Sequence, residues 1–141
     1  MAFRILIMGL SGSGKTTLAK KIVSGLKKCE FDTAWFNADE VRTLTNNWDF
    51  SHEGRILQAH TLRRLADSAP NDIVVVDFIA PLAQQRSIFK PDFTIWLDTI
   101  GSSQYTDTDS VFEPPAIVNY YISNHVEDHE VNILHLLLED E

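Results

Sequence analysis

The chain has 141 residues, of which 44% are hydrophobic and 23% are charged, and its formal net charge is −8. This size predicts a single domain, residues 1–141, and the acidic balance argues against nucleic acid as the main partner. The sequence has no apolar run of about 18 to 20 residues that would cross a membrane. Its one cysteine, Cys29, fits a reducing compartment. We therefore expect a cytoplasmic protein that binds neither nucleic acid nor membrane.

A glycine-rich loop follows the first apolar run, Phe3–Met8, and precedes a predicted helix over residues 15–28. It fits the P-loop pattern G-x-x-x-x-G-K-[ST] in its strand–loop–helix setting, although a turn without a ligand is the alternative. The glycines let backbone N–H groups approach phosphates, the lysine reaches the β- and γ-phosphates, and the threonine hydroxyl can ligate Mg²⁺. ATP and Mg²⁺ are the expected cofactors. The predicted nucleotide-binding residues are Gly9, Leu10, Ser11, Gly12, Ser13, Gly14, Lys15, Thr16 and Thr17.

Strands and helices alternate along the rest of the chain. The sequence predicts strands at residues 33–37, 73–77, 93–98 and 117–122, and helices from 38, over 51–68, over 81–89 and over 124–138. Residues 45–50 and the polar stretch 99–115 are predicted to be loops. This alternation predicts an α/β fold of the P-loop NTPase type, with about five parallel strands and helices on both faces. Ligands of such sheets bind at the carboxyl ends of the strands.

Two acidic residues follow strands of this predicted sheet. Asp39 comes after the second strand, and phosphoryl transfer needs a carboxylate that accepts the proton of the attacking hydroxyl or holds Mg²⁺. Asp77 ends an apolar strand and fits the Walker B form. A helix N-terminal acid and a strand-end cap are the alternatives. The predicted catalytic residues are Asp39 and Lys15, and the predicted metal ligands are Thr16, Asp39 and Asp77.

Arginine and aromatic side chains near these acids indicate an acceptor site. Arg42 lies three residues after Asp39 and can grip an anionic group, as can Arg55, whereas Arg86 is a weaker candidate. Phe50 and the nearby Trp48 lie in a polar loop, where either base stacking or local packing explains large aromatic rings. His125 and His129 have metal-ligand spacing, but solvated helix-end histidines are the favoured explanation.

Five segments in order resemble the adenylylsulfate kinases, P-loop enzymes that phosphorylate the 3′-hydroxyl of adenosine 5′-phosphosulfate (APS). They are the P-loop, residues 37–42 (similar to D-G-D-x-[VL]-R), 49–55 (similar to G-F-S-x-x-x-R), 78–81 (similar to I-S-P) and 107–115 (similar to D-D-P-Y-E-x-P). The resemblance covers about the first four-fifths of the chain. It implies an ATP-dependent kinase with APS or a related nucleotide as its small-molecule partner. It also implies a homodimer, which members of the family often form.

The resemblance also implies roles for the matched positions. Asp39 would lie near Mg²⁺ and the acceptor 3′-hydroxyl, Arg42 and Arg55 would hold the phosphosulfate, and Phe50 would stack on the adenine. Ile79 and the backbone around Ala80 would line the acceptor site. The implied substrate-binding residues are Asp39, Arg42, Phe50, Arg55, Ile79 and Ala80.

The chain departs from the family pattern at three places. Asn37 replaces the first Asp of D-G-D, Ala80 replaces the Ser of I-S-P, and the lid that the family carries between residues 98 and 107 is nearly absent. No Lys or Arg occurs from residue 93 to residue 141. A shortened family member is therefore expected. A kinase for another small nucleotide or metabolite and a nucleotide-binding module with little turnover are the alternatives.

Overall fold

The computed structural model of the chain describes residues 2–125 and 128–139. A parallel sheet has the strand order β2-β3-β1-β4-β5 and consists of β1 (Phe3–Met8), β2 (Thr33–Asn37), β3 (Ile73–Asp77), β4 (Phe93–Leu97) and β5 (Tyr120–Ile122). The helices are α1 (Lys15–Lys28), α2 (Ala38–Thr45), α3 (His52–Ser68), α4 (Ala83–Phe89), α5 (Thr106–Val111) and α6 (His129–Glu139). The predicted α/β fold of five parallel strands is confirmed. None of the described helices is long and apolar enough to cross a bilayer.

The central strand β1 explains the continuous apolar run near the start of the chain. Ile5 and Ile7 point into a core that also contains residues of α1 and α6, whereas Leu6 and Met8 point into a second core with α3 and α4. All four side chains are fully buried. A strand covered by helices on both faces needs apolar residues at every position, which is the pattern of buried parallel sheets.

Three predicted elements begin at least two residues later in the structure. The fifth strand begins at Tyr120, because the chain joins the edge of β4 only where Asn119 exchanges hydrogen bonds with Thr94; Ile117, before this point, is 90% exposed. The last helix begins at His129 rather than at residue 124, and residues 126 and 127 of its predicted span lie outside the described residues. The helix predicted from residue 81 begins at Ala83.

The polar stretch predicted to be a loop contains helix α5. The Asp109 carboxylate accepts hydrogen bonds from the backbone N–H of Ser103 at 2.7 Å and from its hydroxyl at 2.6 Å. The Ser103 hydroxyl in turn accepts from the N–H of Tyr105 at 3.1 Å. These bonds close a turn in front of the helix. The prediction was wrong because polar composition alone was interpreted as a loop, although Asp and Ser side chains can organise a helix start.

The carboxyl ends of β1, β2 and β3 bring separate segments of the chain to one edge of the sheet. Asn37, the last residue of β2, pairs in register with Asp77, the last residue of β3. Asp77 is also in register with Ile7, one residue before the end of β1. The P-loop and the start of α2 follow directly from these strand ends, so the polar residues of three segments meet there.

Candidate active site

A cleft of about 340 Å³ lies at this edge of the sheet, between the P-loop, the start of α2, α3 and α5. It brings together most residues that the sequence predicted for the site, which lie far apart in the chain. The predicted residues that line it are Ser11, Gly12, Gly14, Lys15, Thr16, Thr17, Asp39, Arg42, Phe50, Arg55, Asp77 and Ile79.

The P-loop wraps around the N-terminus of α1. Gly14 precedes the helix with φ 105°, a left-handed conformation that would strain any other L residue. The turn is closed by a bond from the N–H of Ser13 to the carbonyl of Leu10 at 3.1 Å. Ser13 is fully buried, and its hydroxyl has no hydrogen-bond partner among the described residues. Gly9, Leu10 and Ser13 therefore support the loop from behind and do not line the cleft.

Lys15 is the cationic side chain of the P-loop. Its ammonium donates to the carbonyl of Leu10 at 2.9 Å and forms no ion pair with a described residue. Burial lowers the pKa of Lys15 to about 8, although the negative charges of Asp77 and Asp39 oppose this shift. A partly desolvated cation with no ion-pair partner is a strong binding group for phosphate.

Asp77 is held by three donors at the end of β3. The hydroxyl of Thr16 donates to Oδ2 at 2.9 Å, the amide of Asn37 donates to the same oxygen at 2.8 Å, and the indole of Trp35 donates to Oδ1 at 2.8 Å. Asp77 is 1% exposed. A fixed carboxylate beside a hydroxyl provides hard oxygen ligands, and Mg²⁺ in phosphoryl-transfer sites uses few protein ligands together with substrate phosphates and water. The donor set therefore fits Mg²⁺.

Asp39 lies in the first turn of α2, exposed at the wall of the same cleft. Its carboxylate forms no ion pair with a described residue. The described residues contain no group of three or more His, Cys, Asp or Glu side chains arranged to hold a metal ion. A carboxylate that faces the cleft and is not paired within the protein can act on a bound molecule.

Arg42 and Arg55 are both almost completely buried, with exposures of 4% and 5%. Arg42 donates to the carbonyl of Asn47 at 2.7 Å, and Arg55 donates to the carbonyl of Phe50 at 2.8 Å and to the hydroxyl of Thr108 at 3.2 Å. Burial lowers the pKa of each guanidinium, and for Arg42 the charge of Arg55 adds to the effect. Neither forms an ion pair with a described residue, so no described carboxylate neutralises the charge of either guanidinium.

Phe50 and Tyr105 face each other at the mouth of the cleft. Their ring centroids are 5.9 Å apart with an angle of 32° between the planes, and both residues are 37% exposed. The guanidinium carbon of Arg42 lies 4.6 Å from the centroid of the Phe50 ring. Trp48 is 46% exposed and lies beside Phe50 at 6.4 Å, outside the cleft lining. Phe50 thus belongs to the cleft and Trp48 does not.

Two further candidates from the sequence, Ala80 and the weaker candidate Arg86, do not line the cleft. Ala80 is fully buried, and only its neighbours Ile79 and Pro81 line the cleft. The carbonyl of Ala80 accepts a bond from Arg86 at 2.6 Å, and the same guanidinium donates to the carbonyl of Glu113 at 2.8 Å. Arg86 therefore ties the turn after β3 to the segment after α5 and does not line the cleft, so it is not placed to contact a phosphate.

Several cleft residues were missed by the sequence analysis. Gln58 is a polar residue on the apolar face of α3, and Tyr105 is an aromatic residue in a polar stretch; both patterns were signals. Thr108 and Gln85 carried no comparable signal, because neither their type nor their spacing is unusual. Their positions depend on how α5 and α4 pack above the sheet.

A second cleft of about 400 Å³ adjoins the first on the other side of the P-loop and shares Gly14 and Thr17 with it. His125 and His129 lie here. His129 donates through Nε2 to the carbonyl of Asn124 at 2.8 Å, and its Nδ1 lies 3.1 Å from the hydroxyl of Tyr120. Both ring nitrogens of His129 are thus used at the start of α6.

Known proteins share this architecture. The family model for adenylylsulphate kinase matches residues 1–97, whereas no curated protein sequence matches the chain. The APS kinase CysC of Mycobacterium tuberculosis, solved in complex with AMPPNP and APS, is 18% identical over 97% of this chain and 98% of that chain, with a TM-score of 0.80. Shikimate kinase from Acinetobacter baumannii, in complex with shikimate, is 16% identical over 100% of this chain and 96% of that chain, with a TM-score of 0.65.

At these identities the solved structures establish the fold alone. The family assignment comes from the sequence match, which covers most of the chain and includes the P-loop and the residues around Asp39, Arg42, Phe50, Arg55 and Asp77. The chain belongs to the adenylylsulphate kinase family of P-loop kinases.

Proposed function

We propose that the protein transfers the γ-phosphoryl group of ATP to the 3′-hydroxyl of APS, giving 3′-phosphoadenosine 5′-phosphosulfate. One observation carries this proposal. A single cleft joins a P-loop to two buried arginines that flank a partly exposed aromatic ring and form no ion pair with a described residue. The acceptor that suits such a cleft carries both a flat ring and an anionic group, as APS does. The similar M. tuberculosis kinase was solved with AMPPNP and APS, which supports the choice.

The donor half of the cleft is suited to MgATP. The P-loop backbone and Lys15 would hold the β- and γ-phosphates. Thr16, Asp77 and Asp39 would hold Mg²⁺, which when bound neutralises charge on the phosphate oxygens. The second cleft adjoins Gly14 and Thr17, and it offers space for the nucleoside end of the donor.

The acceptor half of the cleft is suited to APS. Phe50 and Tyr105 would take the adenine by stacking, and Arg42 and Arg55 would bind the phosphosulfate. Asp39 would accept the proton of the 3′-hydroxyl while the hydroxyl oxygen attacks the γ-phosphorus of ATP. The bond between the γ-phosphorus and the bridging oxygen breaks, and ADP leaves. Because residues 93–141 contain no Lys or Arg, the charge of the transferring group depends strongly on Lys15.

The test is ADP release by the pure protein with MgATP alone, with MgATP and APS, and with MgATP and AMP, together with chromatography of the nucleotide products. Release that requires APS and yields a 3′-phosphorylated product supports the proposal. Release with AMP but not with APS would assign a different acceptor. ATP binding without turnover of either acceptor would indicate a nucleotide-binding module.

A further inference from the structure

We infer that Asn37 is a positioning residue of the metal site, which ties Thr16 and Asp77 to helix α2 and keeps the site at two carboxylates. This inference rests on the proposed binding of ATP with Mg²⁺. Residues 37–42 resemble a segment that begins D-G-D, whereas this chain has the neutral amide of Asn37 at the first position.

Both the nitrogen and the oxygen of the Asn37 side-chain amide form hydrogen bonds. Its Nδ2 donates to Oδ2 of Asp77 at 2.8 Å and to the hydroxyl oxygen of Thr16 at 3.3 Å. Its Oδ1 accepts the backbone N–H of Glu40 at 3.0 Å and thereby caps α2. A flipped amide would place its NH₂ group against that N–H and its oxygen against a carboxylate, so the orientation is fixed by the surroundings.

One side chain therefore connects three segments of the site. The P-loop contributes Thr16, β3 contributes Asp77, and α2 carries Asp39 and Arg42 on the helix that Asn37 caps. The β2–β3 register places Asn37 directly beside Asp77, so the link does not depend on a flexible loop. A shift of α2 relative to the P-loop would break at least one of these bonds.

The neutrality of Asn37 is the second part of the inference. A carboxylate in its place would lie within hydrogen-bond distance of Asp77 and close to the phosphates of a bound nucleotide. Like charges at this distance repel strongly in a partly buried site. With Asn at this position, Asp39 and Asp77 are the two carboxylates among the described residues that line the cleft, so a nucleotide can bind before a metal ion is present.

Two substitutions separate these roles from simple helix capping. Asp and Ser both cap helix N-termini well, so Asn37→Asp and Asn37→Ser each preserve the acceptor for the N–H of Glu40. Asp removes the amide donor and adds a negative charge. Ser removes the amide donor without adding charge. A purely structural role for Asn37 predicts that the two variants resemble the wild type.

The experiment is isothermal titration calorimetry of the full chain with ADP at about pH 7.5. It is carried out once in EDTA and once in Mg²⁺. The quantity compared is the ratio of the Kd in EDTA to the Kd in Mg²⁺. For Asn37→Asp we expect metal-free affinity to fall by about tenfold or more and Mg²⁺-dependent affinity to fall less, so the ratio rises. For Asn37→Ser we expect metal-free affinity to stay within about threefold and affinity in Mg²⁺ to fall, so the ratio drops.

Asn71 provides a matched control. Its amide donates to the carboxylate of Asp32 at 2.7 Å on the exposed surface, so Asn71→Asp makes the same chemical change away from the cleft. Its ratio should equal that of the wild type. A ratio that does not rise in Asn37→Asp, or does not drop in Asn37→Ser, overturns the inference. Failure of the wild type to bind ADP in either buffer would instead refute the proposed function.

Discussion

The guanidinium of Arg42 donates a hydrogen bond to Oε1 of Gln58 across 2.7 Å, and both residues are 4% exposed. A buried arginine is usually paired with a carboxylate, but here its partner is a neutral amide. The amide nitrogen of Gln58 also donates to the carbonyl of Ala38 at 3.3 Å, which fixes the orientation of the amide. The arrangement orients Arg42 and leaves its charge available to an anionic ligand.

Changing Gln58 to Glu should therefore weaken acceptor binding. The new carboxylate would form an ion pair with Arg42 and neutralise the cation that the proposed phosphosulfate needs. We expect the KM for APS to rise about tenfold and the KM for ATP to change by less than about twofold. Steady-state kinetics with each substrate varied in turn measures both values. Gln84→Glu, at an exposed position on α4, is the control. Equal rises in both KM values would contradict the role given to Arg42.

The strand ends and the P-loop were predictable because their sequence signals are local. The apolar runs of β1 and β3 and the loop spacing place Lys15 and Asp77 without reference to the rest of the chain. The bonds between distant residues were not predictable in this way. Arg86 donates to the carbonyls of Ala80 and Glu113 because of the way α4 packs. No local sequence pattern distinguishes such an arginine from one that binds phosphate.

The residues on the acceptor side of the cleft were also only partly predictable from local sequence patterns. A large ring in the polar loop left base stacking and local packing open for Phe50, and the resemblance to the adenylylsulfate kinases placed it in the site; the same argument about a large ring applies to Tyr105. It was not applied there because residues 99–115 were interpreted as a structureless connection. Once α5 forms, it brings Tyr105 to Phe50 and Thr108 to Arg55. The contribution of this segment depends on contacts between residues about fifty positions apart.

The carboxylate of Asp39 should be required for turnover but not for nucleotide binding. In Asp39→Asn the proton of the attacking hydroxyl loses its proposed acceptor, and general-base catalysis is worth roughly 10²–10⁴-fold, so kcat should fall by that factor. The Kd for ADP in Mg²⁺, measured by titration calorimetry, should rise far less, because Thr16 and Asp77 would still hold the ion. Glu40→Gln removes the neighbouring exposed carboxylate on the same helix and should keep normal activity. Normal turnover by Asp39→Asn would show that the catalytic assignment is wrong.

The ring of Tyr105 should contribute to acceptor affinity. Loss of one stacking ring costs about 1–3 kcal/mol per base, so Tyr105→Ala should raise the KM for APS by at least about fivefold with kcat less affected. Tyr105→Phe keeps the ring and should restore the affinity. Trp48→Ala, which removes an exposed ring outside the cleft lining, should leave the KM unchanged. If Trp48→Ala had the larger effect, the base would have to lie on the other side of Phe50.

Gly54 should be intolerant of a side chain although it lies in a helix. A Cβ at this position would collide with the backbone carbonyl of Asp49, in the loop that carries Phe50. Gly54→Ala should therefore lower the free energy of unfolding by about 1–3 kcal/mol. At an unobstructed helix position, the same change from Gly to Ala would increase stability. Urea denaturation followed by circular dichroism measures the change. A Cβ at Gly101 would meet no atom within 4 Å, so Gly101→Ala should be neutral.

Nucleotide binding should take up a proton through Lys15. Burial lowers the pKa of this ammonium to about 8 in the free protein, and bound phosphates would raise it by stabilising the charge. Well below pH 8 the lysine is already protonated, and little uptake is expected. Above pH 8 binding must first protonate it, so uptake should increase toward one proton near about pH 9 and ADP affinity should fall with rising pH. Calorimetry in buffers of different ionisation enthalpy measures the uptake.

Lys15→Arg, which stays charged throughout, should abolish this proton uptake if the variant binds ADP. Lys20→Arg, at an exposed position on α1, should retain the uptake. Uptake that persists in Lys15→Arg would assign the titration to another group.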